Sequence, residues 1–102
     1  MVRTNDLMKI EKINIIKFDE RGVIYNCGAS CFLSRKKGSV SADHQHEDSE
    51  VNYLVKGEIE LTIGEETQIV KAPARIEMAP NEYHKLVALT NIEILIEREG
   101  EI

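Results

Sequence analysis

The chain has two cysteines, two glutamines, no surplus of basic residues and no long apolar run, and each shortage closes off a class of protein. Cys27 and Cys31 are three residues apart, a spacing that matches neither a CxxC redox pair nor the paired thiolates of a structural zinc site. Without an export signal, they read as reduced thiols in a half-buried strand. No stretch approaches the roughly 18 consecutive apolar residues of a membrane-spanning helix. The start, Met1-Val2-Arg3-Thr4-Asn5-Asp6, leads into isoleucines broken by lysine and glutamate, unlike the continuous apolar block of a signal peptide. The expectation is a soluble, cytoplasmic protein with no membrane partner. Eighteen acidic residues against 13 basic give a net charge of -5. Phosphate-backbone binding relies on clustered Lys and Arg, so nucleic acid is excluded as a partner. The one basic cluster, Arg35-Lys36-Lys37, reads as a solvated turn, close enough in sequence to the histidines that follow to steer an anion toward them. Few glutamines beside abundant Ile, Glu and Lys fit a thermophilic source.

What is present is a succession of short strands. At 102 residues the chain makes one domain, residues 1–102, with 1–18 as an N-terminal arm or strand. Ile13, Ile15, Ile16 and Phe18 suggest the first strand, closed by Asp19-Glu20-Arg21-Gly22, and Val23–Cys27 and Ala29–Arg35 suggest the next two. Val51–Lys56 follows, then Ile59–Ile63, the clearest alternation of period two in the chain. Thr67–Lys71, Arg75–Met78, His84–Leu89 and Ile92–Glu97 complete the set. With no repeat, low-complexity tract or long amphipathic helix, the pattern indicates an all-β sandwich or barrel.

The segment from Gly38 to Gly57 carries the chemistry. His44 and His46 are two residues apart, so on an extended segment they project to one face and reach one ion. A carboxylate at Glu50 and a further imidazole at His84 complete a mixed nitrogen and oxygen site for a divalent transition metal. In a regular strand, Asn52 shares the face of Glu50 and points into the barrel. It reads either as a hydrogen-bonding neighbour of the metal or substrate or as a satisfied core amide, and its replacement is expected to leave metal content unchanged. Arg75 and Glu77 share a face opposite Ile76 and Met78 and read as a surface ion pair.

The spacing Gly38-x5-His44-x-His46-x3-Glu50-x6-Gly57 resembles the first motif of the cupin superfamily at every defining position. The second motif of that superfamily, G-x5-P-x-G-x2-H-x3-N, is partial: aligned on His84, its glycines fall on Pro73 and Asn81, its proline on Ala79 and its asparagine on Ala88. Asn tolerates a left-handed backbone best after glycine, so Asn81 is expected to keep the turn. The resemblance covers nearly the whole chain. It implies a double-stranded β-helix, or jelly-roll barrel, holding manganese, iron, nickel, zinc or cobalt through His44, His46, Glu50 and His84. It also implies a function among oxygenases, decarboxylases, sugar isomerases and non-catalytic binding modules. A metal-dependent enzyme acting on a small polar molecule is the leading expectation, with a sugar- or organic-acid-sensing module as the alternative; fold alone does not choose.

Residues pointing away from the ligand face are apolar too: Val51, Tyr53 and Val55, with Val87 and Leu89. A strand apolar on both faces must be covered. The segment Ile10–Phe18, on its own barrel or exchanged with a neighbour, is expected to supply part of that cover, and the expected assembly is a homodimer.

Overall fold

The computed structural model describes residues 8–44 and 49–98, with backbone alone for 42–44 and 98. Strand-forming residues separated by turn formers give ten strands among the described residues: β1 Asn14–Asp19, β2 Gly22–Asn26, β3 Ser30–Arg35, β4 Val40–His44, β5 Glu50–Lys56, β6 Glu58–Ile63, β7 Glu66–Lys71, β8 Ala74–Met78, β9 His84–Ala88 and β10 Ile92–Arg98. They form two antiparallel sheets, one of six strands in the order β1-β2-β3-β10-β5-β8 and one of four in the order β4-β9-β6-β7. This is the expected all-β jelly roll. β4, read from the sequence only as an extended segment, is a strand in its own right and pairs with β9.

Turn chemistry is specific where it matters. Gly22 has φ 142°, and a Cβ there would sit 1.9 Å from the Ser34 carbonyl oxygen, so only glycine lets β2 lie against β3. At Gly57, φ is 96° and a Cβ would meet the Asn91 carbonyl oxygen at 2.5 Å. Asn81, the residue in place of the second motif's glycine, has φ 64°, so the left-handed turn before β9 is kept.

The core lies between the sheets. Leu54 and Ile59, each fully buried, face one another's layer, with Leu33, Leu61, Leu86 and Ile94 packed around them. Each such side chain contributes about 1.5–3 kcal/mol through burial. Period two then fixes the rest: if Leu54 points inward on β5, so do Glu50 and Asn52, and all three are buried.

Two expectations change. The Ile10–Phe18 segment does not cover β5 on its own barrel: β1 pairs with β2 at the far edge of the six-stranded sheet, with three strands between it and β5. Its apolar side chains are open, Ile15 at 56% and Phe18 at 74% exposure. Arg35-Lys36-Lys37, read as a solvated turn near the histidines, begins at a buried residue, because Arg35 shares the inward parity of Leu33. In register it lies opposite Ile92, at the other end of the sheet from Glu50.

Candidate metal centre

Two crossings between the sheets occur at the same end. β4 ends at His44 and the chain re-enters the other sheet at Glu50; β8 ends at Met78 and the chain returns at His84. Register closes the arrangement, since His44 pairs with His84, Ile63 also pairs with His84, and Glu50 pairs with Met78. Glu50 and His84 are therefore brought to one end of the barrel on opposite sheets. Both are almost fully enclosed, at 2% and 1% exposure.

Hydrogen bonds orient these groups. The Asn52 amide, itself 2% exposed, donates through Nδ2 to Glu50 Oε2 at 2.7 Å. Of the two readings of Asn52, the structure shows a partner of the carboxylate. On the other sheet, His84 Nδ1 lies 3.2 Å from the Glu82 carbonyl oxygen. A carbonyl only accepts, so Nδ1 carries a proton, which in the neutral ring leaves the lone pair on Nε2. That second hydrogen bond to a backbone carbonyl is the arrangement that sets the tautomer of a metal-bound imidazole.

A buried carboxylate held by an amide and a buried imidazole whose Nδ1 donates to a carbonyl fit a divalent transition metal better than a hard cation, which prefers all-oxygen ligation. His44 and His46 complete the expected set. The His44 backbone lies beside His84, while its side chain and the whole of His46 lie outside the described residues. Among the described residues alone, no three metal-ligating side chains come together.

The surroundings are mixed, with Arg98 opposite Glu50 in register and apolar residues opposite the rest. Ile63 is opposite His84, Ile76 and Ile96 flank Asn52, and Met78 is opposite Glu50. Glu50 also forms part of the wall of a cavity of about 490 Å³, whose other walls include Val51, Met78 and Pro80 and the charged pair Arg75 and Glu77. A second cavity, about 280 Å³, opens between the unpaired edges of β7 and β8 and reaches Ile63 and Ile76. At its mouth Gln68 Nε2 donates to Glu66 Oε2 at 2.8 Å, a polar pair absent from the sequence reading although both residues share the parity of Val70. Arg75 and Glu77 are, as expected, an exposed ion pair at 2.5 Å, with the Arg75 guanidinium also 5.9 Å from the Tyr53 ring centre. Glu77 is the main reason the Arg75 pKa is raised.

A model of the cupin domain (Cupin_2) matches residues 32–95, from within β3 to within β10. Among solved structures, a cupin-2 domain protein from Rhodospirillum rubrum superposes with TM-score 0.74 at 12% identity, over 92% of this chain and 75% of that one. KdgF from a Halomonas species superposes with TM-score 0.70 at 18% identity, over 86% and 88%. A predicted oxalate decarboxylase from Thermotoga maritima gives TM-score 0.64 at 21% identity over 68% of this chain, which spans 63% of that protein's length. No curated protein matches the sequence. At these identities the structural likenesses speak for fold alone.

Proposed function

The chain belongs to the cupin domain family, and from that premise we propose that it is a metal-dependent enzyme acting on a small polar molecule, with His44, His46, Glu50 and His84 holding one divalent transition ion. The observation that carries this reading is the enclosure of Glu50 and His84 at one end of the barrel, each oriented by its own hydrogen bond. A buried carboxylate is expensive unless paired or bound to a metal. When bound, the ion would supply Lewis acidity or activate oxygen. The chain's own part is to hold Glu50 through Asn52, fix the His84 tautomer through Glu82, and keep water sparse with isoleucine and methionine.

The surround bears on the class of reaction. Acid-base chemistry needs a proton-transferring group near the reacting atoms. Beyond the expected ligands and Asn52, the register partners are Ile63, Ile76, Met78, Ile96 and, opposite Glu50, Arg98, and the cavity beside Glu50 also has Arg75 and Glu77 in its wall. Both oxygen chemistry, in which the metal carries the reactivity, and chemistry assisted by a charged side chain fit this lining. The same lining supports a second reading, a metal-dependent module that binds a sugar or organic acid without turning it over.

The test is metal analysis of protein purified without an affinity tag, followed by a screen of the loaded protein against dicarboxylates, enediols and phosphorylated or nucleotide-linked sugars. Oxygen uptake and thermal shift are read together. Turnover with oxygen consumption supports the enzyme, and thermal shift without turnover supports the binding module. Full metal stoichiometry in a His44→Ala, His46→Ala double variant would remove the basis of both.

A further inference from the structure

We propose that the barrel end opposite the metal centre is a second ligand site, in which Arg35, Lys36 and Lys56 bind the oxyanion group, phosphate or carboxylate, of a small molecule. The register separates the two ends. Along the six-stranded sheet, Ser30 pairs with Glu97 and Arg35 with Ile92, while Glu50 pairs with Arg98 and Lys56 with Glu93. Glu50 and Lys56 are six residues apart on β5, which is about 20 Å of extended chain.

At this far end a cavity of about 260 Å³ is lined by Arg35, Lys36, Lys56, Asn91, Ile92 and Glu93, among others. That size lies just below the roughly 300 Å³ at which small-molecule sites begin, so it suits a compact anion-bearing molecule and not a nucleotide. Three of these residues are cationic and one is a carboxylate, in a chain whose net charge is -5.

Arg35 is the informative member. It is 5% exposed, and its Nε is buried without a hydrogen-bond partner. Burying a guanidinium with an unmet donor is costly, and a planar fork of donors is best satisfied by a carboxylate or phosphate. Among the described residues no carboxylate bonds Arg35 Nε, although Glu93 shares the cavity wall. Asp19, whose charge reaches Arg35, is hydrogen-bonded to Arg21 through both carboxylate oxygens. Arg21 itself adds like charge, and with burial it lowers the Arg35 pKa. Asn91 has spent its Oδ1 on the Lys37 amide at 2.9 Å, which leaves its NH2 group as a further donor for an anion.

The experiment is isothermal calorimetry on the full chain with inorganic phosphate and, separately, acetate, at ionic strength held constant with chloride. Saturable binding of one anion per chain is expected. The anion that binds assigns the class, phosphate indicating a phosphorylated ligand and acetate a carboxylated one. Lys36→Glu and Lys56→Glu, both at exposed positions where folding is safe, should each weaken binding roughly tenfold or more, and Arg35→Met should abolish it. Metal titration of the two lysine variants should match the parent, which keeps this site's failure distinct from failure of the metal reading. Absence of saturable heat with both probes, or parental affinity in the Lys36→Glu, Lys56→Glu double variant, overturns the proposal.

Discussion

The hydrogen bond from Asn52 to Glu50 changes what a substitution at Asn52 should do. Read from the strand pattern alone, Asn52→Leu leaves metal content intact. With Nδ2 on Glu50 Oε2, the leucine variant instead leaves a buried carboxylate short of a donor, and metal affinity should fall by about 10- to 100-fold. Competition with a chromophoric chelator measures this; parental affinity would mean that Glu50 is not a ligand. His84→Ala should keep the fold and weaken metal binding by more than Asn52→Leu, since a ligand and not its neighbour is lost. Asn81→Gly should be neutral or slightly stabilising, because glycine reaches φ 64° at no steric cost, and thermal melting will report it.

Single elements carry their own predictions. β1 and β2 meet at a turn where Asp19 Oδ1 accepts from the Arg21 amide at 2.9 Å and Oδ2 pairs with the Arg21 guanidinium at 3.3 Å. The backbone hydrogen bond is the largest cause of a lowered Asp19 pKa. A carboxyl whose folded pKa lies below its unfolded value adds stability above the unfolded pKa and loses it as pH falls through the folded one. Asp19→Ala should therefore be less stable than the parent at neutral pH, with the gap closing below the ordinary carboxylate range, in urea melts at stepped pH. In β5, Leu54 is fully buried among Ile59, Ile76 and Ile94. Leu54→Ala should cost about 2–5 kcal/mol in the same measurement; a loss under 1 kcal/mol would mean that the sheets close over the gap.

On the scale of the molecule, the outer face of the six-stranded sheet carries an unbroken row. Tyr53 pairs with Leu95, Leu95 with Phe32, Phe32 with Tyr25 and Tyr25 with Ile15, crossing five strands. All are partly or fully open to solvent in the single chain, and the Tyr25 and Phe32 rings lie 6.3 Å apart. β1 stays at the edge of its own sheet and does not cross this row, over which the Arg75 guanidinium reaches the Tyr53 ring. We propose that this contiguous apolar face is an interface, in which a second copy related by a two-fold axis would bring the same row against itself. Sedimentation should show a dimer at micromolar concentration, and Phe32→Glu or Tyr53→Glu should give monomer or aggregate. A monomeric parent would leave the row without a partner of its own kind.

Periodicity alone determined the strands, because a side-chain period of two with turn formers between is a local property, and nine of the ten strands follow from it nearly residue by residue. The histidine and glutamate spacing identified the candidate ligands for the same reason, and the left-handed turn at Asn81 followed from the chemistry of one residue. Arg35 was legible in principle, since its parity is that of Leu33, but a basic triplet reads as surface until a neighbouring strand is seen to bury it. Only the tertiary structure decided that Asn52 donates to Glu50, that Glu66 and Gln68 form a pair at a cavity mouth, and that the basic triplet sits at the far end from Glu50 and His84. It alone placed β1 four positions from β5. Each of these depends on which strand pairs with which and in what register, and pairing is fixed by contacts between residues far apart in the chain, which local pattern does not encode.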